Sequence, residues 1–243
     1  IRADKELAER IKYKYSIKNV TGLNLLPFIE FDDPFEIIAH SIVGSEGTLA
    51  FLSEITVNTA HLYPHSASAM LYFSDLEEAC KAVVAMKKGP VFGAELLDKK
   101  SLSAVNDPTG EGLTAVLTET KADTPEELQK NINEILEILK PFNLFKPAYF
   151  TDKPEEYSEY WKIRSGIFPS VGGTRPLGST VLIEDVAFHI EDLPKATVEL
   201  QQLLQDNGYN DACIYGHALE GNYHFIISQS FDSQEEIDRY KEL

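Results

Sequence analysis

The chain has 243 residues and carries 39 acidic against 22 basic side chains, a net charge of −17. A surface of that sign does not displace counterions from phosphates, which argues against nucleic acid or an anionic membrane as a partner. Two cysteines, Cys80 and Cys213, are too few for a disulfide framework and read as buried thiols, and no apolar run reaches the length of a membrane span.

Residues 1–60 read as a helical start, an irregular proline-containing stretch, and then a strand or two. Within them, Ser41-Ile42-Val43-Gly44-Ser45-Glu46-Gly47-Thr48-Leu49 forms a glycine-spaced loop ahead of an apolar run. Glycines at 44 and 47 would let a ligand approach the main-chain amides closely. No lysine follows the second glycine and the Gly-x-Gly-x-x-Gly spacing is absent, so this is neither a P-loop nor a dinucleotide fingerprint. A tight turn between apolar segments explains the loop equally well.

Beyond residue 66 the chain alternates. Residues 68–73 are strand-like, and Ser74 with Glu77 makes a capping box for a helix whose apolar stripe is Leu76, Ala79, Cys80 and Val83. Gly89-Pro90 ends that helix, and strands follow at 91–97 and 113–120. Thr124-Pro125-Glu126-Glu127 opens the clearest helix, with Leu128, Ile132, Ile135, Leu136 and Leu139 as its buried stripe and Pro141 closing it. A strand is expected from 148 to 151 and a helix over 154–168. The pattern then restarts: strand 180–188, helix 193–204, strands 212–215 and 223–228, and a last helix from about 232. Two strand–helix–strand, strand–helix–strand units imply an α+β, ferredoxin-like arrangement, a wide antiparallel sheet with helices on one face.

The most informative segment is Gly216-His217-Ala218-Leu219-Glu220-Gly221-Asn222-Tyr223-His224. Alternating apolar runs flank it, so a hairpin would bring His217 and His224 together near its mouth, a common way to build part of a divalent-metal site. Two histidines are fewer than the three protein ligands a catalytic metal usually has, and unrelated, locally satisfied imidazoles fit the same spacing.

Together, the loop at 44–49 and the hairpin at 216–224 resemble one family, the flavin-linked dehydrogenases of the vanillyl-alcohol-oxidase type, with D-lactate, glycolate and D-2-hydroxyglutarate dehydrogenases among them. Their flavin domain closes with Gly-Ser-Glu-Gly-Thr-Leu, here Gly44 to Leu49, and their substrate domain carries Gly-His-x-Gly-Asp-Gly-Asn-x-His, here Gly216 to His224. Gly93-Ala94-Glu95-Leu96-Leu97-Asp98, Trp161-Lys162-Ile163-Arg164 and Ile183-Glu184-Asp185-Val186-Ala187 look like landmarks between them. The stretches at 17–25 and Phe31-Asp32-Asp33-Pro34 look most like large members with a trailing iron–sulfur region. Leu219 and Glu220 stand where the family has Gly and Asp, and its further metal-binding glutamate, in a Glu-His-Gly segment, is not found before Leu243. The resemblance therefore implies an internal piece of a longer enzyme, with 1–61 the C-terminal part of the FAD-binding domain and 62–243 a truncated, ferredoxin-like substrate domain.

What it implies for chemistry is an FAD-dependent dehydrogenase that oxidises a D-2-hydroxy acid, D-lactate or D-2-hydroxyglutarate, by hydride transfer to flavin. Gly44, Ser45, Glu46, Gly47 and Thr48 would contact the flavin, and Asn222 would face cofactor or substrate. His217 and His224 would ligate a divalent metal (Zn, Mn or Fe) and act with Arg164, whose planar guanidinium suits a carboxylate; Arg175 is the reserve for that role. Glu184 and Asp185 read as a structural or solvated pair, and His40 as packing. Electrons would leave to a quinone, a cytochrome or an iron–sulfur centre outside this piece, in the cytoplasm or peripheral to an inner membrane. A flavin alcohol oxidase or ether-lipid synthase of the same fold, or a non-catalytic ferredoxin-like binding module, are the rival expectations.

Overall fold

The computed structural model describes residues 1–19 and 22–243; Val20 and Thr21, inside the 17–25 stretch noted above, lie outside the described residues. The chain divides into two compact units, Ile1–Leu62 and Tyr63–Leu243. Among its described residues the first holds three helices, α1 (Lys5–Lys14), α2 (Pro27–Glu30) and α3 (Pro34–Ile42). Asp4 and Asp33 start α1 and α3 by accepting the amides of Leu7 and Phe35, and Pro34 fills the first helical position, where its missing N–H costs nothing. His40 stacks on Phe31, ring centroids 4.2 Å apart. The strand expected before residue 60 does not form among the described residues: Phe51, Ile55 and Val57 are apolar but unpaired and exposed, and a strand without a neighbour has no ladder to hold it.

The second unit is built on six strands, β1 (His65–Phe73), β2 (Gly93–Leu97), β3 (Thr114–Ala122), β4 (Thr180–Ala187), β5 (Cys213–Gly216) and β6 (Asn222–Gln229). They lie in the order β1-β3-β2-β5-β6-β4 with every pairing antiparallel. With α4 (Leu76–Met86), α5 (Lys99–Ala104), α6 (Pro125–Leu139), α7 (Pro154–Thr174), α8 (Leu193–Asp206) and α9 (Gln234–Glu242), the chain runs through a strand–helix–strand–strand–helix order twice. The two repeats are β1–α4–β2–β3–α6 and β4–α8–β5–β6–α9, and they join where β2 pairs with β5 at Leu96↔Gly216 and Leu97↔Tyr215.

Both faces of this sheet are covered, not one. Leu71, Phe73, Leu96, Val116 and Ile227 pack with Ala79, Cys80 and Val83 of α4 and Ile135 of α6 on one side. Met70, Leu97, Leu117, Tyr215 and Ile226 pack with Leu102 of α5 and Ile167 of α7 on the other. The strands demand this, because β1 and β3 are apolar along both of their faces.

Local signals set most boundaries. Thr124 accepts the Glu127 amide at 3.2 Å and Pro125 follows it, as the capping pattern of α6 requires. For α4 the cap is Asp75, not Ser74: its carboxylate accepts the Glu78 amide at 2.7 Å. The strand expected at 148–151 shrinks to isolated bridges, Ser68↔Thr151 and Phe73↔Leu144, since Pro147 lies between them and has no N–H to give a ladder.

Candidate active site on the inner sheet face

Strand register assembles the site. Leu97, Tyr215, His224 and Asp185 face one another across β2, β5, β6 and β4. Side chains alternate along a strand, so Glu95 shares the face of Leu97, and the Leu96↔Gly216 pairing sets Glu95 opposite His217. This is the face on which α7 lies. The Trp161 indole N–H donates to Ser68 Oγ at 3.3 Å, and Arg164, three residues on, projects from the same side of the helix.

Five polar side chains meet there. His217 Nδ1 donates to Glu95 Oε1 at 2.5 Å, and Arg164 Nε donates to Glu95 Oε2 at 2.9 Å. His224 Nδ1 donates to Asp185 Oδ1. The two imidazole centroids are 5.4 Å apart with the rings at 76°, and the Arg164 guanidinium stands 5.1 Å from the Tyr215 ring centroid. Glu95, Trp161, Arg164, Ser165, His217 and His224 line one broad, shallow depression of about 730 Å³.

The charges balance locally. Glu95 is only 7% exposed, and burial opposes its ionisation. The hydrogen bond from His217 and the positive charge of Arg164 prevail and hold the carboxyl below the usual range. Burial pushes the Tyr215 hydroxyl up, with Arg164 pulling the other way.

Two glycines let the hairpin close this tightly. At Gly216 (φ +137°) a Cβ would lie 3.1 Å from the His224 backbone nitrogen and 3.2 Å from its ring Cδ2. At Gly221 (φ +65°) a Cβ would sit 2.3 Å from the Phe188 carbonyl oxygen. Between them a 3-10 turn spans Ala218–Glu220. The two residues that depart from the family pattern are both accommodated. Leu219 is buried in the core, and Glu220 pairs with Lys87 at 2.9 Å.

The remaining expected site residues have contacts of their own. Asn222 is 4% exposed and its Nδ2 donates to the Val186 carbonyl at 3.0 Å, so the amide expected to face a ligand ties β6 to β4. Arg175 spends its guanidinium on the backbone carbonyls of Ser179 and Gly172. Gly44, Ser45, Glu46, Gly47 and Thr48 belong to the first unit, in a turn closed by Thr48 Oγ1 donating to the Ser45 carbonyl at 2.6 Å. Space is open within 4 Å of a Cβ built on Gly44 or Gly47, which leaves that main chain approachable.

Glu95 and Asp185 are the residues that motif reading missed. Glu95 had a signal, since a carboxylate inside an apolar strand, Gly93-Ala94-Glu95-Leu96-Leu97, must find a cationic or donor partner. Carboxylate contacts at both Nδ1 atoms leave each Nε2 as the outward nitrogen, the arrangement seen around metal-bound histidines. Among the described residues no three His, Cys, Asp or Glu side chains gather as a complete ligand set.

The family described as "FAD linked oxidases, C-terminal domain" matches residues 62–243. The chain is 29% identical over 207 residues to the mitochondrial D-lactate dehydrogenase [cytochrome] of Arabidopsis thaliana, covering 82% of this chain and 35% of that one. It is 23% identical over 222 residues to the mitochondrial D-2-hydroxyglutarate dehydrogenase of the same plant, covering 86% and 38%. It thus spans little more than a third of the length of these curated relatives. Among solved structures, an alkyldihydroxyacetonephosphate synthase aligns with a TM-score of 0.60 at 13% identity, over 86% of this chain and 43% of that one. A p-cresol methylhydroxylase with substrate bound aligns at 0.51 and 14% identity, over 74% and 42%. These are vanillyl-alcohol-oxidase-type flavoproteins, and at such identity the likeness shows a shared fold.

Proposed function

The chain belongs to the family of FAD-linked oxidases, as their C-terminal domain, and from that premise we propose that the whole protein is an FAD-dependent dehydrogenase of D-2-hydroxy acids. D-lactate and D-2-hydroxyglutarate, named in its relatives, are the leading substrates, and the product is the 2-oxo acid. One observation carries this reading: two imidazoles anchored by carboxylates share a depression with a buried-side arginine.

Each residue has a separate task. Arg164 gives its Nε to Glu95, which leaves the two terminal nitrogens as a planar fork for the substrate carboxylate. His217 and His224 offer their Nε2 atoms to a divalent metal, Zn, Mn or Fe, whose remaining ligands are not in this set. When bound, that ion would lower the pKa of the substrate hydroxyl and FAD would accept the hydride from the adjacent carbon. Trp161 walls the depression and limits water around the reacting carbon.

We assign residues 1–61 to the end of the FAD-binding domain, with the amides of 44–48 turned to the flavin, and 62–243 to the substrate domain. Cys80 and Cys213 are both buried, on α4 and β5, so an iron–sulfur centre in the electron path would lie outside this chain; a quinone or cytochrome is the other acceptor class. No helix among the described residues is long and apolar enough to cross a membrane. The mitochondrial names of the relatives accord better with a place peripheral to an inner membrane than with a strictly cytoplasmic one.

Arg164→Met in the full-length enzyme tests the reading. Losing a charge-assisted, two-pronged contact should lower kcat/KM for D-lactate or D-2-hydroxyglutarate by about 100-fold and leave any turnover of neutral alcohols unchanged. Equal loss on both substrate classes would favour an alcohol oxidase of the same fold. Metal titration of the His217→Ala variant adds the second arm, since unchanged affinity would favour a non-catalytic module.

A further inference from the structure

Glu95 is placed to do more than neutralise a neighbour. It stands on β2, His217 follows β5 and Arg164 is on α7, so one carboxylate links three elements at the joint between the two repeats. Both of its oxygens are in use, one for each partner. An ionised carboxylate only accepts hydrogen bonds, and the arginine Nε only donates. The proton on the His217 ring must therefore sit on Nδ1 whenever that ring is neutral, which puts the lone pair on Nε2.

We propose that Glu95 is the positioning residue that fixes His217 as the Nδ1–H tautomer and, through its second oxygen, holds Arg164 with its terminal nitrogens free. The metal-binding consequence rests on the reading of His217 as a ligand given above; the tautomer itself does not. Asp185 makes the corresponding contact to His224, but it is the weaker device. Its side chain is 46% exposed against 9% for Glu95, and it has no second partner in the site. Water can replace a carboxylate at such an exposed position, whereas the Glu95 carboxylate is enclosed and held from both sides by His217 and Arg164. The two histidines thus differ: one is locked by a buried, doubly used carboxylate and the other is steadied at the surface.

Glu95→Gln separates positioning from packing, since it keeps the shape of the side chain. Glutamine can still accept from Arg164 through its carbonyl oxygen, but toward His217 it presents an N–H donor. Its partner nitrogen must then accept, and the ring proton moves to Nε2. The measurement is the ¹⁵N shift pattern of histidine-labelled, metal-stripped full-length protein at pH 8.5. The expected result is a reversal of the two ring-nitrogen signals of His217 with those of His224 unmoved. An unchanged His217 pattern in the Gln variant overturns the proposal.

In the holoenzyme, Zn²⁺ or Mn²⁺ affinity should drop about 10- to 100-fold, the usual cost of removing the group that orients a metal-bound histidine. KM for D-lactate should rise less than about 3-fold, because the Arg164 contact survives. Glu95→Asp, which restores a carboxylate, should return the Nδ1–H pattern; if the Gln protein does not fold, the parent protein decides, since an Nε2–H signal for His217 there overturns the proposal. Reversal of the tautomer with metal affinity unchanged would uphold Glu95 as the positioning residue and remove His217 from the metal site instead.

Discussion

β1 and β4 open the two repeats and occupy the two ends of the same sheet, yet they have opposite fates. Seven of the nine residues of β1 are buried, whereas no residue of β4 is fully buried. The outer edge of β1 receives bridges from Leu144 and Thr151, and helices cover both of its faces. β4 ends the sheet with Ile183 at 42% exposure and the charged pair Glu184 and Asp185 on its length. Charges on a terminal strand discourage edge-to-edge pairing, and here one of them, Asp185, also steadies His224. The first strand of the first repeat is thus packed foundation, while that of the second trades burial for a charged edge beside His224.

That contrast can be broken most directly by truncating one residue in each half. Phe73→Ala removes a fully buried ring from β1 and should cost about 3–5 kcal/mol in a urea melt. Ile183→Ala, on the half-exposed β4, should cost below about 1 kcal/mol. Similar losses at both sites would show that β4 is as well packed as β1, and the contrast would fail. Glycines sharpen it. Gly221→Ala forces a Cβ against the Phe188 carbonyl at a left-handed position and should cost about 3 kcal/mol. Gly93→Ala, at an ordinary φ in β2 with nothing within 4 Å, should stay within about 0.5 kcal/mol of the parent in the same melt.

How much of this could be read from the sequence follows from the range of the interactions. α6 was legible almost throughout, because its cap, its first-turn proline and its stripe all lie within sixteen residues; Leu128, Ile135 and Leu139 are buried, while Ile132 and Leu136 of the expected stripe are half-buried. The approach of His217 to His224 was legible too, since a short hairpin sets it. Their carboxylate partners were not, because Glu95 is 122 residues from His217 and Asp185 is 39 from His224, distances that only the strand order closes. Helix α7 shows the converse. Its last turns contain Pro169, Gly172 and Gly173, beyond the 154–168 expected from the sequence, yet the helix runs to Thr174 while Val171 packs with Leu97 and Tyr215. Tertiary contact there outweighs local propensity.

The one effect that changes with pH concerns the seam between the two halves. Asp98 follows β2, is 1% exposed, and caps α5 by accepting the Ser101 amide at 2.8 Å, while its own amide donates to the Ile214 carbonyl of β5. Burial pushes its carboxyl up to about 6, with the Ser101 hydrogen bonds pulling the other way. In the unfolded chain an aspartate titrates near 4, so between about pH 4 and 6 the unfolded state loses its proton first and is favoured as pH rises. This contribution therefore weakens the fold progressively through that window and then levels off. Asp98→Asn keeps an oxygen for the Ser101 amide and removes the charge. Above pH 7 it should be more stable than the parent by about 2 kcal/mol, with most of that difference gone at pH 4.5, as compared by urea melts at the two pH values. A difference that does not change with pH would mean the carboxylate is comfortably ionised at the seam, and that the joint between foundation and site carries no buried-charge cost.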